Sequence, residues 1–147
     1  MKPFQPTPRL VLLLFRAFEV SLLQQLHHNG VSDVTPSHLN VLRHLDNRGM
    51  KISLLAQDAA LSKQLVGRIV KELVEKGYLK ISPDASDGRA KFVCYTEKGR
   101  SLIKAATRIV AEIERNYEKE LGSSEYKRFR KQLTQLTTTH QKEAVTT

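Results

Sequence analysis

LSKQLVGRIVKELVEKG, Leu61 to Gly77, is the stretch whose reading decides the fold. Ser62 is a good N-cap, because its hydroxyl can accept from an otherwise unpaired amide of the first helical turn. After it, Val66, Ile69, Val70 and Leu73 recur at i, i+3, i+4 and i+7, the single apolar stripe of an amphipathic helix. The other side carries Lys63, Gln64, Gly67, Arg68 and Lys71, which are short or cationic and include one amide. Gly77 stands where a left-handed residue would end the helix. Such a helix can dock on a core with one face and enter a major groove with the other.

Upstream, Ser53 reads as the cap of a short helix from Leu54 to Ala60, with Leu55 and Ala59 inward. Two short helices joined this tightly form a helix-turn-helix. Before them, Thr35-Pro36 gives an N-cap and N1 signal for a helix running to about Asn47, with Leu39, Leu42 and Leu45 inward. Met50-Lys51-Ile52 reads as a short strand. Thr7-Pro8 repeats the cap signal for a first helix that ends near Asn29-Gly30. That helix is apolar on more than one side, through Leu10, Leu12, Leu13, Leu14, Phe15, Ala17, Leu22, Leu23 and Leu26, which suits packing on its own domain and on a second subunit.

Downstream the period changes to two. Residues 78–82 and 91–96 alternate as strands around a polar turn, Pro83 to Arg89, which makes a hairpin wing. Thr96 then caps a long helix with Leu102, Ala106, Ile109, Val110, Ile113, Tyr117 and Leu121 in register, stopped at Gly122. A last helix places Tyr126, Phe129, Leu133 and Leu136 at near-heptad spacing, and the threonine-rich tail from Thr137 is expected to fray.

Composition limits what this architecture can do. At 147 residues the chain is long enough to bury a core. A net charge of +9, densest over residues 63–100, favours a polyanionic partner. The single cysteine, Cys94, rules out an internal disulfide and fits a reducing cytoplasm. The longest apolar run, Leu10 to Phe15, is followed by Arg16 and Glu19, so neither a membrane span nor a signal peptide is expected. No P-loop, nucleophile elbow or paired catalytic carboxylates appear, so no enzyme is expected.

In element order the chain resembles the MarR family of bacterial transcription regulators. The resemblance rests on Leu55-Ala56, on LSKQLVGRIVKELVEKGYL from Leu61 to Leu79, and on DASDGRAKFVCYTEKGRSLI from Asp84 to Ile103. Its most specific part is Asp87-Gly88-Arg89 followed by Thr96-Glu97-Lys98-Gly99-Arg100. It implies a mainly α (α+β) fold in a single domain over 1–147, with a winged helix-turn-helix at 35–100 and dimerisation helices at 7–30 and 101–141. It further implies a cytoplasmic homodimer on double-stranded DNA, repressing a pseudo-palindromic operator until a small anionic or aromatic ligand releases it. Two residues depart from the family pattern. Ala60 stands where glycine is usual, which is tolerable at negative φ, and Gly67 replaces a small polar residue.

The DNA-contacting set expected on this basis is Ser62, Lys63, Gln64, Gly67, Arg68, Lys71, Asp87, Arg89 and Lys91. Gln64 suits adenine and Arg68 guanine, each by a bidentate pair. Arg68 and Lys71 have Glu72 and Glu75 four residues on, but in the weaker cation-first order, and Glu72 has a better-ordered partner in Lys76. By resemblance Arg89 reaches a minor groove with Asp87 steadying its guanidinium, a groove that concentrates negative potential. Lys80 and Lys91 fit phosphate contacts, which position without specifying. A plain solvated helix face is the competing reading of all these charges. His27 and His28 diverge on their helix, as do His38 and His44, and no metal-ligand spacing occurs. Ordinary surface or helix-end histidines are expected, with no metal and no cofactor. Cys94 reads as an inert buried strand thiol rather than a redox sensor. The rival from another class is a winged helix used only for protein–protein contact.

Overall fold

In the computed structural model, which describes residues 1–84, 86, 88 and 90–146, the elements follow one another as α1 (Thr7–His28), α2 (Pro36–Leu42), β1 (Met50–Lys51), α3 (Ile52–Ala59), α4 (Lys63–Glu75), β2 (Leu79–Pro83), β3 (Lys91–Tyr95), α5 (Glu97–Leu121) and α6 (Ser123–Thr146). The strands form one antiparallel sheet in the order β1-β3-β2, with Met50 opposite Val93 and Leu79 opposite Tyr95. The mainly helical winged helix-turn-helix fold expected from the sequence is therefore the fold observed. The chain divides into two compact units, one spanning Met1–Ile109 and the other beginning at Val110.

The core of the first unit is built on α4. Val66, Val70 and Leu73 are fully buried and Ile69 nearly so, the four positions of the apolar stripe. Helix α4 packs on α2, α3 and β2, where Leu39, Leu42, Leu55 and Leu79 are buried as well. Ser62 caps α4 as expected, accepting from the Leu65 amide at 3.1 Å. Gly77 closes the helix at φ +85°.

Several boundaries differ from the sequence reading, each for a local reason. Helix α1 is capped by Pro6 rather than Thr7, with no side-chain hydrogen bond. Helix α2 stops at Leu42 instead of Asn47. There the chain tightens, with the His44 and Leu45 amides bonding the carbonyls three residues back, and the buried Tyr95 hydroxyl donates to the same Leu42 carbonyl at 3.1 Å. Helix α3 begins at Ile52, because β1 hands directly into it through the extended Lys51; Ser53 lies inside the first turn and is no cap. Leu55 is buried as expected, and Ala56 rather than Ala59 joins it. Helix α6 continues through Thr146 rather than fraying from Thr137. Thr134, Thr137, Thr138 and Thr146 each donate a hydroxyl proton to the carbonyl four residues back, which lets threonine sit inside a helix.

Helix α1 is more apolar over its length than its longest unbroken run suggests. With 22 residues and a mean hydropathy of 1.3 over its best window, it is long and apolar enough to cross a membrane. Counting only the unbroken run Leu10–Phe15 missed this, since two isolated charges scarcely lower the average.

Ala60 departs from the condition set for it. It ends α3 in the left-handed region, φ 54° and ψ 40°, rather than at negative φ. A Cβ in that conformation crowds the following carbonyl and costs about 1–2 kcal/mol. Ala60→Gly is therefore expected to raise the unfolding free energy by about 1 kcal/mol in urea titration, part of the gain being offset by glycine's freer unfolded chain. A loss of stability would contradict the strain.

Candidate nucleic-acid interface

The outer face of α4 is set by the inner one. With Val66, Ile69, Val70 and Leu73 fixed inward, Lys63, Gln64, Arg68 and Lys71 are exposed. Among the described residues, none of these four side chains has an ion pair or hydrogen bond within the chain. Ser62, also exposed, is committed to its cap. Gly67 is half-buried, and a Cβ added there would meet nothing within 4 Å. It borders a groove of about 280 Å³ with Ile52, Ser53, Lys63, Ala90 and Lys91. The structure thus brings Lys91 of the wing beside Lys63 and Gly67 of the helix, a juxtaposition the sequence could not give. Lys80 is exposed on β2. Asp87 and Arg89 lie outside the described residues.

The C-terminal end of α4 is clamped by the segment that begins α5. Thr96 Oγ1 donates to the Gly77 carbonyl at 2.5 Å and accepts from the Gly99 amide at 3.1 Å. Lys98 Nζ donates to the Lys76 carbonyl at 2.7 Å and lies 4.4 Å from the Tyr78 ring centroid. This cation and this hydroxyl satisfy carbonyls that a helix end leaves unpaired. The Thr96-Glu97-Lys98-Gly99 motif is thereby accounted for as the fastening of α4.

Tyr78 adds a second fastening, its hydroxyl donating to Asp33 at 2.5 Å. That bond holds the Asp33 carboxyl below the usual aspartate range, and burial together with Asp33 pushes the Tyr78 phenol up to about 12. Because the Asp33 value is depressed in the folded chain, its contribution is fully present above pH 4 or so and is lost as pH falls through the depressed value. Tyr78→Phe is expected to lower stability at neutral pH by about 1.5 kcal/mol, with the difference from wild type narrowing in acid. A difference in denaturation midpoints that stays constant into strong acid would show that Asp33 is not involved.

The side chain that sequence reasoning missed is His38. It stands at the N-terminal end of α2 but is 1% exposed, so it is a helix-end histidine and not a surface one. Its Nδ1 accepts from the Thr35 amide at 3.1 Å while the Thr35 hydroxyl accepts from the His38 amide, a capping box with histidine in the glutamate position. With Nδ1 accepting, Nε2 carries the proton and donates to Glu72 Oε2 at 2.8 Å. Glu72 is therefore engaged by α2 rather than by Lys76. Histidine three residues after a Thr-Pro cap was the available signal.

Cys94 is half-buried rather than buried, in β3 opposite Lys80 and between the buried Val93 and Tyr95. Among the described residues no group of three His, Cys, Asp or Glu side chains is placed to hold a metal.

Residues 32–90 match the model of the MarR family. The HTH-type transcriptional regulator TcaR of Staphylococcus aureus (strain Newman) is 28% identical over 103 residues, covering 69% of this chain and 68% of its own. A crystal structure of MarR superposes with a TM-score of 0.81 over 100% of this chain and 99% of its own, at 21% identity. Transcriptional regulator Tm0710 from Thermotoga maritima does so at 0.62, covering 97% of this chain and 99% of its own, with 22% identity. These two likenesses establish the arrangement of elements and carry no residue roles.

Proposed function

The winged helix of this chain being of the MarR family, we propose that the protein is a homodimeric transcription regulator that binds pseudo-palindromic duplex DNA through α4 and the wing. The single observation that carries this reading is the outer face of α4. Three cations and an amide stand exposed and unpartnered among the described residues, on a helix buried on its other side and fastened at its end. Gln64 and Arg68 are the base-reading pair, Lys63, Lys71, Lys80 and Lys91 the phosphate contacts, and Arg89, steadied by Asp87, the minor-groove contact. Ser62 acts through its cap, and Gly67 leaves room for close approach of the duplex.

The dimer reading is supported by α1. Leu10 to Phe15 are each 41–51% exposed, and since successive helical residues stand about 100° apart, this surface runs all round the helix. A second copy would cover it. Lipid fits less well, because Arg16 and Glu19 would each cost roughly 2.5–3.5 kcal/mol at a bilayer centre. In the second unit, Leu133 and Leu136 of α6 are exposed at a spacing that suits the same purpose. Two α4 helices would then enter major grooves about 10 base pairs apart.

Kinship supports a repressor in the cytoplasm, without enzymatic activity, released by a small anionic or aromatic ligand. A ligand that binds only one spacing of the two α4 helices shifts the population and lowers affinity for DNA. Selecting bound duplexes from a random pool tests the reading. A two-fold symmetric consensus is expected; recovery of no preferred sequence would favour a module for protein–protein contact.

A further inference from the structure

We propose that His38 is a positioning residue for DNA binding: by holding the Glu72 carboxylate on the α2 side of α4, it keeps Arg68 free for the duplex. This rests on α4 being the DNA-facing helix. Glu72 lies four residues after Arg68, within reach of it on the helix surface, and directly follows Lys71. An unattached glutamate there would draw the guanidinium into an intrahelical pair and place a negative charge beside the phosphates. Instead Glu72 Oε2 accepts from His38 Nε2 at 2.8 Å, and among the described residues Arg68 has no ion pair. The Glu72 side chain is 45% exposed, so it has the freedom to turn outward, whereas that of His38 is 2% exposed and locked by the Thr35 amide on Nδ1. A rigid donor thus restrains a mobile acid. The bond also sets this histidine apart from the glutamate usual in a capping box: the ring offers an acceptor toward the cap and a donor away from it, where an ionised carboxylate has no donor.

His38→Asn separates the two roles, since its amide oxygen stands near the place of Nδ1 and can still serve Thr35, while nothing replaces Nε2. Affinity for a short mixed-sequence DNA duplex, read by fluorescence anisotropy across a salt series, is the measurement. On a duplex of no preferred sequence Arg68 acts as a neutralising cation rather than a base reader, so His38→Asn is expected to weaken binding roughly tenfold and to take about one unit from the salt slope. Adding Glu72→Gln to His38→Asn should restore both, because the amide cannot pair with Arg68 as a charge. Should His38→Asn unfold the chain, His38→Leu fills the same space and the rescue is repeated on it. Weakening that Glu72→Gln does not relieve, or no weakening at all, would overturn the role of His38 while leaving the DNA reading intact. Failure of the unsubstituted protein to bind the duplex would instead overturn the reading beneath it.

Discussion

Gly99→Ala is expected to lower the unfolding free energy by about 3 kcal/mol or more, because the new methyl group has nowhere to go. A Cβ at Gly99 would stand 2.0 Å from the Tyr78 carbonyl oxygen and 3.1 Å from Tyr95 Cδ1. The nearest atom is backbone, so no rotamer change relieves the overlap. That carbonyl also accepts from the Thr96 amide and hydroxyl, so moving it would loosen the fastening at the end of α4. Gly67→Ala is the matched control. It adds the same methyl to open space on α4, and should stabilise the helix by about 0.8–1 kcal/mol. Urea titrations of the two variants should therefore move in opposite directions. Similar midpoints would mean that Gly99 is not packed as described.

The second large effect concerns binding. Lys63→Ala with Arg68→Ala removes two cations from the exposed face of α4, one beside Lys91 in the groove and one further along the helix. Affinity for the selected duplex is expected to fall roughly a hundredfold at moderate salt, and the slope of log affinity against log salt to flatten by about one unit for the phosphate contact of Lys63. Neither side chain touches the core, so the thermal midpoint should stay close to that of the parent. Binding that survives both substitutions would remove this face from the interface.

What the sequence made legible follows from how local each determinant is. The stripe from Val66 to Leu73 could be read directly, because a helical period and a hydrophobic face are properties of one segment, and fixing the inner face fixes the outer one. The Ser62 cap and the Gly77 stop were likewise local. Gly99 was visible as part of a motif, but its reason was not, since the carbonyl that excludes a methyl group belongs to Tyr78, 21 positions earlier. His38 was hidden for the same reason: Glu72 comes from another helix, and intrahelical rules paired it with Lys76 instead. Ala60 shows tertiary packing overriding local preference, the tight passage from α3 to α4 imposing a positive φ on a residue that resists it. The tail of α6 failed in the opposite sense, because threonine-rich composition suggested fraying while the hydroxyls of Thr137, Thr138 and Thr146 bond back into their own helix. Arg89 and Asp87, the most specific part of the family resemblance, remain a proposal from kinship alone.

The central claim is that an exposed cationic helix and a neighbouring wing meet a phosphate backbone. The salt dependence of duplex binding by the full chain tests it most directly. Six to ten phosphate contacts predict a loss of roughly 10³–10⁵ in affinity between about 50 and 200 mM salt. Affinity that holds level across that range, or no binding at its lower end, would contradict the account.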